Sequence, residues 1–180
     1  FENIWIQPAA GDAGGSLGAA LGLWHIELKK NRTVNSKDSM NGSYLGPEYS
    51  QDEVEKKLKE LGTNFEVLDD EQLFEKTALE LSNGKTVGWF HGRMEFGPRA
   101  LGNRSILGDA RSENMQKILN LKVKFRESFR PFAPSIIRED LPAWFNLNCD
   151  SPYMLLVSDV VSNKRRAMTK KEKALFGIDK

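Results

Sequence analysis

The sequence predicts an α/β fold with a largely parallel or mixed sheet. Three observations lead there. Short apolar runs with strand character recur at Ile4–Ile6, Phe65–Leu68, Thr86–Phe90, Ala133–Ile137 and Tyr153–Val161. Segments with helical spacing lie between several of them, and Gly, Pro and Asn-Gly punctuation separates the two kinds. A chain of 180 residues with 39% hydrophobic and 28% charged residues has enough apolar material for one domain, or one domain and a piece of another.

In chain order, the Ile4–Ile6 strand stops at Pro8 and runs into Gly11-Asp12-Ala13-Gly14-Gly15. A helix follows, capped by the glycines or by Ser16, with Leu17, Leu21, Trp24 and Leu28 on one face. Residues 31–42 are polar and aperiodic and predict a linker, which divides the chain into 1–30 and 43–180. Ser50 and Glu53 form a capping box for QDEVEKKLKE, with Gly62 as the stop. Asp69 or Asp70 opens a second helix that runs through Leu81 and closes at Asn83-Gly84. Ser112 is expected to cap a third, from Glu113 to about Leu121. The chain shows no internal repeat.

Composition removes several classes. No window approaches the ~18 consecutive apolar residues of a membrane span. The first residues lack the order of a secretion signal, and their mid-strand character predicts a segment of a longer protein. A single cysteine, Cys149, excludes an intrachain disulfide and fits a reducing cytoplasm. The net charge of +1 gives no reason to expect polyanion binding by the whole chain. Charge is nevertheless concentrated: residues 85–130 hold ten Lys/Arg against four Asp/Glu, a local +6 that leaves −5 for the rest.

Within that basic stretch, Gly88–Ser105 carries Arg93, Arg99 and Arg104 among Gly92, Gly97 and Gly102. Guanidinium forks suit phosphate and carboxylate, and glycines imply a crowded, shaped backbone, so the segment predicts an anion site. Glu95 is expected to orient one of the arginines, because unpaired cations are costly. The plainer reading is a solvated loop whose arginines pair with surface acids. Farther on, Lys124-Phe125-Arg126-Glu127-Ser128-Phe129-Arg130-Pro131 interleaves cations with aromatics. Lys124 and Arg130 are the additional anion ligands expected there, while Arg126 and Glu127 equally suit a surface pair. The loop at Gly11, Gly14 and Gly15 suits phosphate, with Asp12 either capping the helix or holding a divalent metal.

Together, QPAAGDAGGSLGAAL, YLGPEYS, GWFHGRMEFGPRALGNRSILGD and FRPFAPSI resemble the O-carbamoyltransferase family, which includes enzymes acting on nodulation factors and antibiotics. The resemblance implies that residues 1–30 end a Kae1-like (actin/kinase-like) domain. It also implies that 43–180 form a truncated YrdC-like domain, a twisted mixed sheet with flanking helices. It further implies formation of carbamoyl adenylate from carbamoyl phosphate and ATP, then transfer to the hydroxyl of a small molecule or glycan. On this resemblance Arg99, Lys124 and Arg130 hold the reacting anion, with Arg93, Arg104, Ser128 and Ser135 nearby. Gly11, Gly14 and Gly15 contact nucleotide phosphate, and Asp12 is a ligand of a divalent metal, iron or magnesium. His91 stands where relatives often carry glutamine. The implied setting is cytoplasmic and free of membrane and nucleic acid, with a homodimer as the candidate assembly and a fragment inactive alone. The alternative is a nucleotide- or RNA-binding YrdC-like module without transfer activity.

Overall fold

The computed structural model describes residues 6–34 and 36–174. They fall into two units, one reaching to Leu107 and including Pro152–Leu155, the other comprising Gly108–Ser151 and residues from Leu156 onward. The polar stretch 31–42 lies within the first unit. The Ile4–Ile6 strand lies outside the described residues except for Ile6, which has no regular structure.

In the first unit, α1 (Asp12–Gly22) is capped by Gly11 rather than Ser16, whose hydroxyl donates back to the Ala13 carbonyl at 2.7 Å. A π-helical turn, Leu23–Glu27, continues it. The expected apolar face is largely solvent-exposed at Leu21, Trp24 and Leu28. Both later helices begin where side-chain chemistry requires. For α2 (Gln51–Glu60), Ser50 Oγ accepts from the Glu53 amide while the Glu53 carboxylate accepts from the Ser50 amide, completing a capping box. For α3 (Asp70–Ser82), Asp69 and Gln72 reciprocate in the same way. Gly62 ends α2 in a left-handed conformation, φ +63°.

Strand β1 (Val87–Phe90) appears as expected, but its partner is β2 (Arg104–Leu107), at the end of what reads in sequence as a loop. The pair is antiparallel, with Val87 opposite Leu107 and Phe90 opposite Arg104. This two-stranded sheet replaces the larger parallel or mixed sheet among the described residues. The other apolar runs lack ladder partners. Phe65–Leu68 and Ala133–Ile137 are irregular, and Pro134 removes an amide donor from the second of these. Tyr153–Val161 pairs only through an isolated bridge from Val160 to Phe145. Tyr153 instead serves the first unit: its hydroxyl donates to Asp38 and accepts from the Gly42 amide at 3.1 Å. Burial and the Asp38 hydrogen bond push the Tyr153 phenol up to about 12, so it remains a donor.

The second unit holds α4 (Met115–Ile118), a π-helical continuation Leu119–Val123, α5 (Leu141–Trp144) and α6 (Lys170–Ala174). The helix expected from Glu113 starts later, because Asn114 rather than Ser112 occupies the cap position. Its buried apolar side chains are Met115, Leu119 and Leu141. Gly108 lets the chain approach them: a Cβ there would lie 2.8 Å from Met115 Cγ. No helix among the described residues is long and apolar enough to cross a membrane.

Candidate functional site

Register places the arginine-rich loop. Phe90 pairs with Arg104, and the His91 amide extends the pairing to the Asn103 carbonyl at 2.9 Å, so residues 91–103 are closed at their base. Inside the loop the Glu95 side chain is fully buried. Its Oε1 accepts from the amides of Leu101 at 2.6 Å and Asn103 at 2.9 Å, and its Oε2 accepts from Arg104 Nε at 3.2 Å. Burial pushes this carboxyl up, but the amides of Leu101, Glu95 itself, Asn103 and Arg104 together hold it below the ordinary value of 4.5. Arg104 then reaches the opposite limb, donating from Nη2 to the carbonyls of Gly97 and, at 3.3 Å, Arg99. Arg104 is therefore the arginine that Glu95 orients.

The other two arginines differ. Arg93 donates to the Gly46 carbonyl at 2.9 Å and pairs with Glu48 at 2.8 Å, so it ties the YLGPE segment to the loop. Arg99 is exposed, and its side chain makes no hydrogen bond or ion pair with another described residue. Of the three guanidinium groups, it is the one presented to solvent without an internal partner. Segment 43–47 backs the loop by main-chain bonds: Gly46 N to Met94 O at 2.9 Å, Met94 N to Pro47 O at 2.8 Å and Phe96 N to Ser43 O at 2.6 Å. Tyr44 donates to the Leu101 carbonyl at 2.8 Å. In sequence, YLGPEYS stands only as one of the motifs that carry the family resemblance.

The N-terminal glycine loop meets the arginine loop. Gly97 has φ +107°, and a Cβ on it would stand 2.5 Å from Ala9 Cβ, so glycine is required by both conformation and space. Gly14 donates to Ala9 O at 2.8 Å and Gly15 to Gly11 O at 2.7 Å, so both amides are engaged inside the loop rather than offered outward. Gly11 stands at the helix cap beside exposed Asp12. Among the described residues no group of three or more His, Cys, Asp or Glu is arranged to hold a metal. Asp12 alone does not make a centre.

In the second unit, a neutral residue takes the organising position. Asn120 is wholly buried; its Nδ2 donates to the carbonyls of Ser128 at 3.1 Å and Arg130 at 2.8 Å. Its Oδ1 accepts from Arg126 Nε at 2.6 Å, and Arg126 lies over the Phe132 ring at 4.9 Å. Gln116 adds donations to the Phe129 and Arg130 carbonyls. Arg126 and Glu127 do not form the surface pair that suits their sequence: Arg126 turns to Asn120, and Glu127 pairs with Arg130 at 2.8 Å. Lys124, Ser128 and Ser135 are exposed, and Lys124 makes no ion pair among the described residues. Asn120 is the residue sequence reasoning missed, since an isolated Asn in a helical pattern carries no signal of its burial.

Both the loop centred on Glu95 and the turn centred on Asn120 fall within residues 78–173, which match the family model described as carbamoyltransferase C-terminus. The chain belongs to the carbamoyltransferase family. The chain is 54% identical to an uncharacterized protein of Synechocystis sp., over 100% of this chain and 30% of that protein. It is 39% identical to nodulation protein NolNO of Sinorhizobium fredii, over 93% of this chain and 25% of that one. It is 33% identical to 3'-hydroxymethylcephem-O-carbamoyltransferase of Streptomyces clavuligerus, over 86% of this chain and 27% of the relative. This carbamoyltransferase chain thus spans 25–30% of the length of these curated relatives.

Proposed function

We propose that the chain is the anion-handling C-terminal part of an ATP-dependent O-carbamoyltransferase, in which carbamoyl phosphate, water and ATP yield a carbamoyl adenylate, phosphate and pyrophosphate, and the carbamoyl group then passes to an acceptor hydroxyl with release of AMP. The observation that carries this reading is Arg99: an exposed guanidinium without an internal partner, on a loop whose other cations are committed to holding its shape. A preorganised cation lowers the energy of charge developing on a transferring phosphate and needs no protein nucleophile. Membership of the carbamoyltransferase family and the activity for which the Streptomyces relative is named support the reaction class.

In this proposal Arg99, Lys124 and Arg130 are the direct anion contacts, Arg130 by exchanging its exposed partner Glu127 for ligand. Arg93 and Arg104 support the loop, and Ser128 and Ser135 are secondary hydrogen-bonding candidates. Residues 1–30 are assigned to the end of a Kae1-like domain, 31–42 to a linker and 43–180 to a YrdC-like domain. Asp12 is the metal-ligand candidate. A cytoplasmic setting and a homodimer complete the proposal.

The test is carbamoyl-phosphate-dependent exchange of pyrophosphate into ATP by the full-length protein. Arg99→Ala is expected to lower it by about a hundredfold, the scale on which removal of one preorganised charge-stabilising donor acts. Wild-type exchange in the folded variant would sink the assignment.

A further inference from the structure

The Glu95 side chain is fully buried, and a carboxylate is an expensive group to bury unless its partners require it. Across the loop, its hydrogen bonds reach the returning limb at the Leu101 and Asn103 amides and Arg104 Nε. Arg104 in turn bonds the outgoing limb at the Gly97 and Arg99 carbonyls. The carboxylate and the guanidinium therefore form a brace across the loop, and one foot of that brace stands on the main chain of Arg99. We infer that Glu95 is a positioning residue, acting through Arg104 to fix where the Arg99 guanidinium stands, and that Arg104 is the strut of this brace rather than a ligand of the reacting anion. This rests on the function proposed for Arg99.

Chemistry separates bracing from simple filling of space. In Glu95→Gln the amide oxygen still accepts from Leu101 and Asn103, but the amide NH2 then faces Arg104 Nε, donor against donor. The loop keeps its main-chain bonds and loses the strut. In Arg104→Lys, a charge remains for Glu95, but a single ammonium cannot also fork to the carbonyls of Gly97 and Arg99. A displaced Arg99 weakens anion binding before it changes anything else.

The test uses the full-length protein and the same exchange assay. Glu95→Gln is expected to raise the KM for carbamoyl phosphate by about tenfold to a hundredfold, the scale of an ångström misplacement, with a smaller fall in kcat. Arg104→Lys is expected to do likewise, and it decides the question if Glu95→Gln does not fold. Introduced into Arg99→Lys, Glu95→Gln should add less than its separate effect, since both act on one contact. An unchanged KM in folded Glu95→Gln or Arg104→Lys, or full multiplication of the two effects, overturns the inference. Wild-type exchange in Arg99→Ala would instead remove the functional reading beneath it, so the two failures are distinguishable.

Discussion

Two cationic loops of this chain are each organised by one buried polar side chain, and the two choices are opposite. Residues 93–104 close around Glu95, a carboxylate that only accepts and therefore gathers donors: two amides and a guanidinium. Residues 124–130 close around Asn120, an amide that donates to two carbonyls and accepts from Arg126. The first arrangement stores a compensated charge in the loop interior. The second ties down main-chain carbonyls without any buried net charge. Arg99, on the charged loop, is left without an internal partner, whereas Arg130, on the neutral one, is held by Glu127. A buried anion thus serves to shape an outward-facing cation, and a buried amide serves only to shape a turn.

The sharpest way to break this comparison is truncation. Glu95→Ala would leave the half-buried donors of Leu101, Asn103 and Arg104 without their acceptor. It is expected to cost about 3–5 kcal/mol, the usual penalty for removing one partner of a buried ion pair. The local signature is lost amide hydrogen-exchange protection at Leu101 and Asn103. Retained protection there would mean that the amides are held by something other than the carboxylate. Asn120→Ala should cost less, about 1–3 kcal/mol, because Gln116 still donates to the Arg130 carbonyl and the group removed is neutral, although Arg126 loses its acceptor. Its effect should appear as a lower denaturant midpoint together with loosened packing of Arg126 on Phe132. A cost equal to that of Glu95→Ala would erase the distinction between the two organisers.

Acid provides the mildest test. Glu95 is held below its ordinary 4.5 because the hydrogen bonds to its charged form outweigh its burial. A carboxyl depressed in the folded state contributes stability that is fully present above its unfolded value and fades as pH falls through the folded one. Protection factors at Leu101 and Asn103 should therefore decline as pH drops below about 4.5, whereas the Asn120 contacts, which do not titrate, should persist. Equal acid sensitivity of both loops would show that charge is not what sets them apart.

Much of the chain was legible from local chemistry. The box at Ser50/Glu53, the helix start at Asp69, the stop at Gly62 and the strand Val87–Phe90 each depend on residues a few positions apart, and each stands where the sequence puts it. The larger sheet was not legible. Apolar runs such as Phe65–Leu68 satisfy a strand pattern, but a ladder needs a neighbour, and pattern does not reveal whether one is present. In the site, the concentration of arginines was visible, but their division of labour was not.

The sequence by itself determined the boundaries of α2 and α3, the crowded glycine-arginine segment and the kinship with carbamoyltransferases, since all three reside in short contiguous patterns. Tertiary structure alone decided that Arg104 braces while Arg99 stands exposed, that Gly97 must be glycine because Ala9 lies against it, and that Asn120 is buried. The reason is physical: three arginines in one loop are chemically identical, and only the positions of the acceptors, Glu95 for Arg104 and Glu48 with the Gly46 carbonyl for Arg93, distinguish the two that are held from the one that is not.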